Sequence, residues 1–157
     1  MVSVELLRHT VGTLAYRAAK VLRDAPPKFS DFSAGSGTRT AGQILAHMGD
    51  LFDWALSLAN GQHVWRNVPV NDWDADRARF FEALERFDAR LASSEPLGSS
   101  PEKLFQGPVA DALAHVGQLA ILRRLAGAPV KGENYFKANI AAGRTSADQA
   151  APKIEFD

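Results

Sequence analysis

The chain contains no cysteine. That removes disulfides, a thiol nucleophile, thiolate zinc sites and CxxC redox chemistry, so any metal has to be held by His, Asp or Glu. An excess of either charge is also missing: 18 Lys and Arg balance 18 Asp and Glu, with both signs spread along the 157 residues. Such a chain offers no field to collect a polyanion or an anionic bilayer, and neither a nucleic-acid nor a membrane partner is expected. Long apolar runs are absent as well. No window approaches the roughly 18 uninterrupted apolar residues of a membrane span, and the opening stretch, residues 1–10, already carries Glu5 and Arg8. These absences predict a soluble, cytoplasmic protein. Sustained apolar/polar alternation of the strand kind is not found either.

Helical periodicity is what the chain does have. With 46% hydrophobic residues and a length that lets about two-thirds of the unfolded surface be buried, a single domain over residues 1–157 with its own core is expected. Four segments carry apolar residues at alternating spacings of three and four. The first runs from about Ser3 to Arg23 through Val4, Leu7, Val11, Leu14, Ala18 and Val21, and Pro26-Pro27 ends it. The second starts where Thr40 and Gln43 have capping-box spacing. It continues through Ile44, Met48, Leu51 and Ala55 to Asn60-Gly61. The third begins near Asn71 or Asp72 and puts Trp73, Phe80, Leu84, Phe87 and Leu91 on one face. Gly107-Pro108 is expected to open the fourth, with proline at a first helical position; Gly127 and Pro129 stop it. The tail after Ala128 reads as irregular, apart from a short amphipathic patch around Tyr135, Phe136 and Ile140. Four striped helices predict an all-α four-helix bundle, and its long first and second connections permit crossovers as readily as hairpins.

A bundle buries its stripes, so ionisable residues lying on them carry the information. At about 100° per residue, His47 falls between Trp54 and Leu58 on the second helix, while Asp50 and Asp53 fall on the polar arc. On the fourth, Asp111, His115, Gln118 and Leu122 share a face, and a carboxylate and an imidazole one turn apart are neighbours. Both are expected to point into the bundle. Burying them requires compensation. One form is a structural Asp-His hydrogen bond with His47 separately satisfied, in a non-catalytic small-molecule-binding or stress-associated bundle. The other is a divalent metal on His47, Asp111 and His115, with open positions for water or a small-molecule substrate, a donor set suited to zinc, nickel, iron or manganese. Gln118 is placed to orient a ligand, Trp54 to wall a pocket beside His47, and Asn134 and Tyr135 to cap it if the tail folds back. His9, off the seam, and His63, in a loop, read as solvated side chains. Asp50, one turn beyond His47, is a reserve carboxylate. Arg77, Arg79, Arg86 and Arg90 on the third helix, interleaved with acids, read as a solvated salt-bridged face.

The stretches Thr40 to Gly61 (TAGQILAHMGDLFDWALSLANG) and Phe105 to Gly143 (FQGPVADALAHVGQLAILRRLAGAPVKGENYFKANIAAG) resemble the DinB-like, or damage-inducible, metal-binding bundle superfamily, which includes mycothiol-, bacillithiol- and glutathione-dependent transferases and isomerases. Its pattern is a His on the second helix and two His four residues apart on the fourth, the latter followed by Gly-Gln. His47 matches the first, and His115 with Gly117-Gln118 matches the last. Asp111 stands where the family usually has its middle His. The resemblance implies a four-helix bundle, often a homodimer, with a divalent metal near one end and a low-molecular-weight thiol activated for transfer or isomerisation. It also implies that Asp111 either ligates in place of an imidazole or marks a weakened site.

Overall fold

The first three helices each begin where a side chain satisfies a free backbone N–H. In the computed structural model, which describes residues 3–157, Ser3 caps α1 (Val4–Leu22), Thr40 caps α2 (Ala41–Ala59) and Asp72 caps α3 (Trp73–Ala92), each accepting from the N–H three residues on. The Thr40–Gln43 capping box forms in both directions. Met1 and Val2, part of the expected domain 1–157, lie outside the described residues.

The fourth helical segment departs from expectation at its start. It begins at Pro101, behind the N-cap Ser100, with one turn, α4 (Pro101–Leu104), and reaches α5 (Ala110–Leu125) through a π turn at Phe105–Val109. Pro108 is therefore interior rather than initial. Its missing N–H and its ring are accommodated by the wider turn, while Pro101 takes the first-turn position for which Pro108 was the candidate. Gly107 faces the Trp54 ring; a Cβ there would meet it at 3.8 Å. Gly127, with φ of 76°, is the expected left-handed stop.

Packing partners fix the topology. α1 touches α3 and α5, and α2 touches α3 and α5, so the consecutive helices α1 and α2 stand on a diagonal. Arg8 at the start of α1 bonds Asp88 near the end of α3, and Trp73 Nε1 at the start of α3 donates to Leu22 O; these helices are antiparallel. Arg79 reaches Ala46 O and Asp50, whereas Arg90 reaches Ala59 O, so α2 and α3 run parallel. A 19-residue helix is about 28 Å long, and the chain from Gly61 to Asp72 has to travel back along it before α3 can begin. The first connection crosses the diagonal and the second runs the length of the bundle.

One apolar cluster joins the four segments, with Phe52, Phe80, Phe87, Leu7, Leu14, Leu45, Met48, Leu84 and Leu119 fully buried. Gly49 lets the Arg79 guanidinium cross α2; a Cβ would lie 2.8 Å from Nη1. Asp50, placed on the polar arc by the helical wheel, is buried beneath this arginine at 2.7 Å. Arg79, Arg86 and Arg90 thus tie α3 to α2, while Arg77 makes no bond to α2 among the described residues. Arg123 is also buried. Its guanidinium donates to Val21 O, Arg23 O and Asp24 O, capping the open carbonyls of α1, and to Ala128 O.

The tail is less irregular than its sequence suggests. β1 (Gly132–Glu133) and β2 (Glu155–Phe156) pair antiparallel. Buried Glu133 accepts from Tyr16 Oη and, at 2.9 Å, from Lys20 Nζ, which also bonds Glu155 at 2.8 Å. This cluster of charges fastens the tail to α1.

Candidate metal centre

α2 and α5 are antiparallel neighbours, and their facing grooves bring together the residues that spacing had singled out. His47 and His115 lie ring to ring, 4.9 Å between centroids and perpendicular. Asp111 Oδ2 stands 3.5 Å from His47 Nε2 and 3.5 Å from His115 Nε2. One ligand atom from each of the three falls within 4.8 Å of the others. Four-coordinate ions with bonds of about 2.0–2.2 Å have ligand atoms about 3.3 Å apart, so both carboxylate-to-imidazole separations fit and only a small closure between the two imidazoles is required.

The second nitrogen of His115 is equally informative. His115 Nδ1 is 2.8 Å from Gln118 Oε1. An amide oxygen only accepts, so Nδ1 donates to it, and Nε2, which faces Asp111 and His47, is the ring nitrogen left available to an ion. The three-residue spacing on α5 that places Gln118 beside His115 is what makes this possible.

Electrostatics favour the ligating form of His47. Burial lowers its pKa below the ordinary imidazole value, and the neighbouring Arg39 and His115 act in the same direction; the Asp111 carboxylate opposes them. His47 is therefore neutral near neutral pH, as a metal ligand has to be.

One part of the expectation fails. His115 is buried, but the Asp111 side chain is 49% exposed, so the aspartate stands at the rim and not among leucines. The reason is the orientation of α5. Ala112, Val116, Leu119 and Leu122 enter the core, which leaves the Asp111, His115, Gln118 face along the edge of the groove toward α2. Leu125, at the end of α5, is exposed.

Trp54 does not wall the histidine pair directly. Its ring meets Trp65 at 5.7 Å and His63 at 5.6 Å, and Trp65 in turn meets His47 at 5.6 Å. The indole N–H of Trp54 is buried with no hydrogen-bond partner among the described residues, so apolar packing against the core and the neighbouring rings holds it. His63 is solvent-exposed as expected but lies tilted against Trp54 rather than standing free. Asn134 and Tyr135 are not brought to the centre. Tyr135 packs against Tyr16 and under Arg17 on the α1 side, and Asn134 joins the tail by its backbone N–H to Ile154 O. Asp50 is committed to Arg79 and to Val68 N–H, and His9 is exposed on α1.

Two residues that spacing did not indicate border the site. Trp65 arrives on the returning connection, which is pinned to α2 by Val64 N–H on Ser57 Oγ and Val68 N–H on Asp50. Arg39 comes from the turn before α2. It shares with Ile44, His115, Gln118, Ile121 and Leu122 the lining of a recess of about 360 Å³. Neither lies on a periodic segment, so no wheel could place them. The chain matches no family model, no curated protein and no solved structure.

Proposed function

We propose that the protein is a divalent-metal-dependent enzyme in which His47, Asp111 and His115 hold one ion, of zinc, nickel, iron or manganese, and in which a small thiol or a water is activated for transfer, isomerisation or hydrolysis. The observation that carries this reading is the convergence of three ligand atoms from α2 and α5, within 4.8 Å of one another, around an imidazole whose remote nitrogen is already engaged by Gln118. The resemblance of the same two segments to the DinB-like bundles supports it, as it supports a homodimer. A bound divalent ion lowers the pKa of a coordinated thiol or water and so supplies a nucleophile near neutral pH.

The chain's own residues do the rest. His47 and His115 each offer an imidazole nitrogen on the side facing Asp111. Asp111 offers one negative charge, and its exposed position leaves the solvent side open to an incoming group. Gln118 holds the His115 ring in one orientation. Trp65 covers His47 from the side of the returning connection and reduces water access there.

The test is the metal content of protein purified without chelator, alongside His47→Ala and His115→Ala. About one equivalent of a divalent metal in the wild type, lost in both variants, is expected. Wild-type protein that takes up no metal, with variants that are merely less stable, returns the three residues to a structural Asp-His cluster in a non-catalytic small-molecule-binding bundle.

A further inference from the structure

The recess beside His115 has a composition that specifies its occupant. Ile44, Ile121 and Leu122 form apolar walls, His115 and Gln118 face it from α5, and Arg39 stands at its edge. No acidic side chain is among the described residues that line it. Arg39 is exposed and makes no hydrogen bond or ion pair among the described residues, so its guanidinium is free to meet an anion. The volume, about 360 Å³, is at the small end for a ligand pocket.

Charge adds a second constraint. A divalent ion on two neutral imidazoles and one carboxylate keeps one positive charge, and the unpaired guanidinium adds another. The guanidinium is exposed and the recess opens to solvent at Ile121, so an anion with an apolar body can reach both the cationic edge and the apolar walls. A planar carboxylate matches the guanidinium fork and still has an oxygen for an open metal position.

From these features we propose that the substrate recess takes a small organic monocarboxylate, its carboxylate against Arg39 and its short apolar chain or ring along Ile44, Ile121 and Leu122. The assignment rests on the proposed function for the part of the head group that faces the metal. The Arg39 and recess contacts stand on the chain alone.

Binding of hexanoate, acetate, 1-hexanol and hexyl phosphate is measured by calorimetry on the full chain, with and without one equivalent of zinc, and the zinc content is determined separately. Hexanoate is expected to bind about tenfold or more tighter than acetate, because four further methylenes leave water, and about tenfold tighter than hexanol, which lacks the charge. Arg39→Ala is expected to weaken hexanoate by about tenfold with zinc stoichiometry unchanged. Ile121→Gln, at a residue exposed enough to spare the fold, is expected to narrow the gap between hexanoate and acetate.

Equal affinity for hexanoate and acetate overturns the proposal, as does an Arg39→Ala variant that binds hexanoate as the wild type does. Hexyl phosphate binding more tightly than hexanoate overturns the carboxylate assignment. A protein that takes up no zinc but binds hexanoate in an Arg39-dependent way sinks the metal reading and keeps this one. A protein that holds zinc and binds no hexanoate does the reverse.

Discussion

Replacing Gln118 by leucine removes the only partner observed for His115 Nδ1, a hydrogen bond of 2.8 Å, and leaves the three candidate ligands in place. Without the amide oxygen the imidazole is free to turn and to carry its proton on Nε2, the nitrogen that faces Asp111 and His47. Losing such an outer partner typically weakens metal binding about ten- to a hundredfold, or about 1.4–2.7 kcal/mol. Gln118 is exposed, so the metal-free variant is expected to keep its unfolding free energy to within about 0.5 kcal/mol. The pair of measurements separates positioning from folding. Zinc affinity is read by competition with a chromophoric chelator, and stability by urea unfolding of the metal-free protein. Gln118→Glu, which keeps an acceptor at this position, is expected to recover most of the affinity. A Gln118→Leu variant that stays folded and binds zinc within about twofold of wild type refutes the claim that this bond orients a ligand.

Three further outcomes are expected. Arg123→Met leaves the carbonyls of Val21, Arg23 and Asp24 without their buried donor. It should cost about 3 kcal/mol and lower the Tm by about 6–12 °C; thermal unfolding within about 1 °C of wild type would contradict that role. His47 has a pKa below its unfolded value, so the unfolded chain binds its proton first on acidification. Its contribution to stability is whole above about pH 6.5 and is lost as pH falls from there through the depressed folded pKa. His47→Gln should flatten that part of the metal-free stability profile. Lys20→Met leaves the buried Glu133 carboxylate without its counter-ion, with only Tyr16 still donating to it, and severs the bond to Glu155, a loss of about 3 kcal/mol, and amides of the paired tail strands should exchange faster while those of α2 do not.

Most of the helical skeleton was legible because its signals are local. The Thr40–Gln43 box, the Gly61 and Gly127 stops and the stripes of α1, α2 and α3 need only neighbouring residues to act, and they appear where expected. Two wheels left the convergence of His47, Asp111 and His115 as one of two ways to compensate inward polar groups, a structural Asp-His hydrogen bond being the other. What failed depended on distant groups. Pro108 reads locally as a helix start, but Ser100 and Pro101 start the helix earlier and a π turn absorbs the interior proline. Asp50 reads as solvated on its own wheel, yet Arg79 from α3 encloses it. Glu133 carries no periodic signal, and only Tyr16 and Lys20, more than a hundred residues away, explain why it is buried. Trp65 and Arg39 sit on connections, whose course depends on helix direction rather than on any pattern within them.

The parallel run of α2 and α3 obliges residues 61–72 to retrace the length of the bundle. This segment brings Trp65 over His47 but gives no residue to the fully buried core. Substitutions there can therefore reshape the approach to the histidines while the packed interior is untouched. It is the natural stretch to randomise in a directed-evolution library, and the one where descendants of this chain are free to diverge in what they admit without becoming less able to fold.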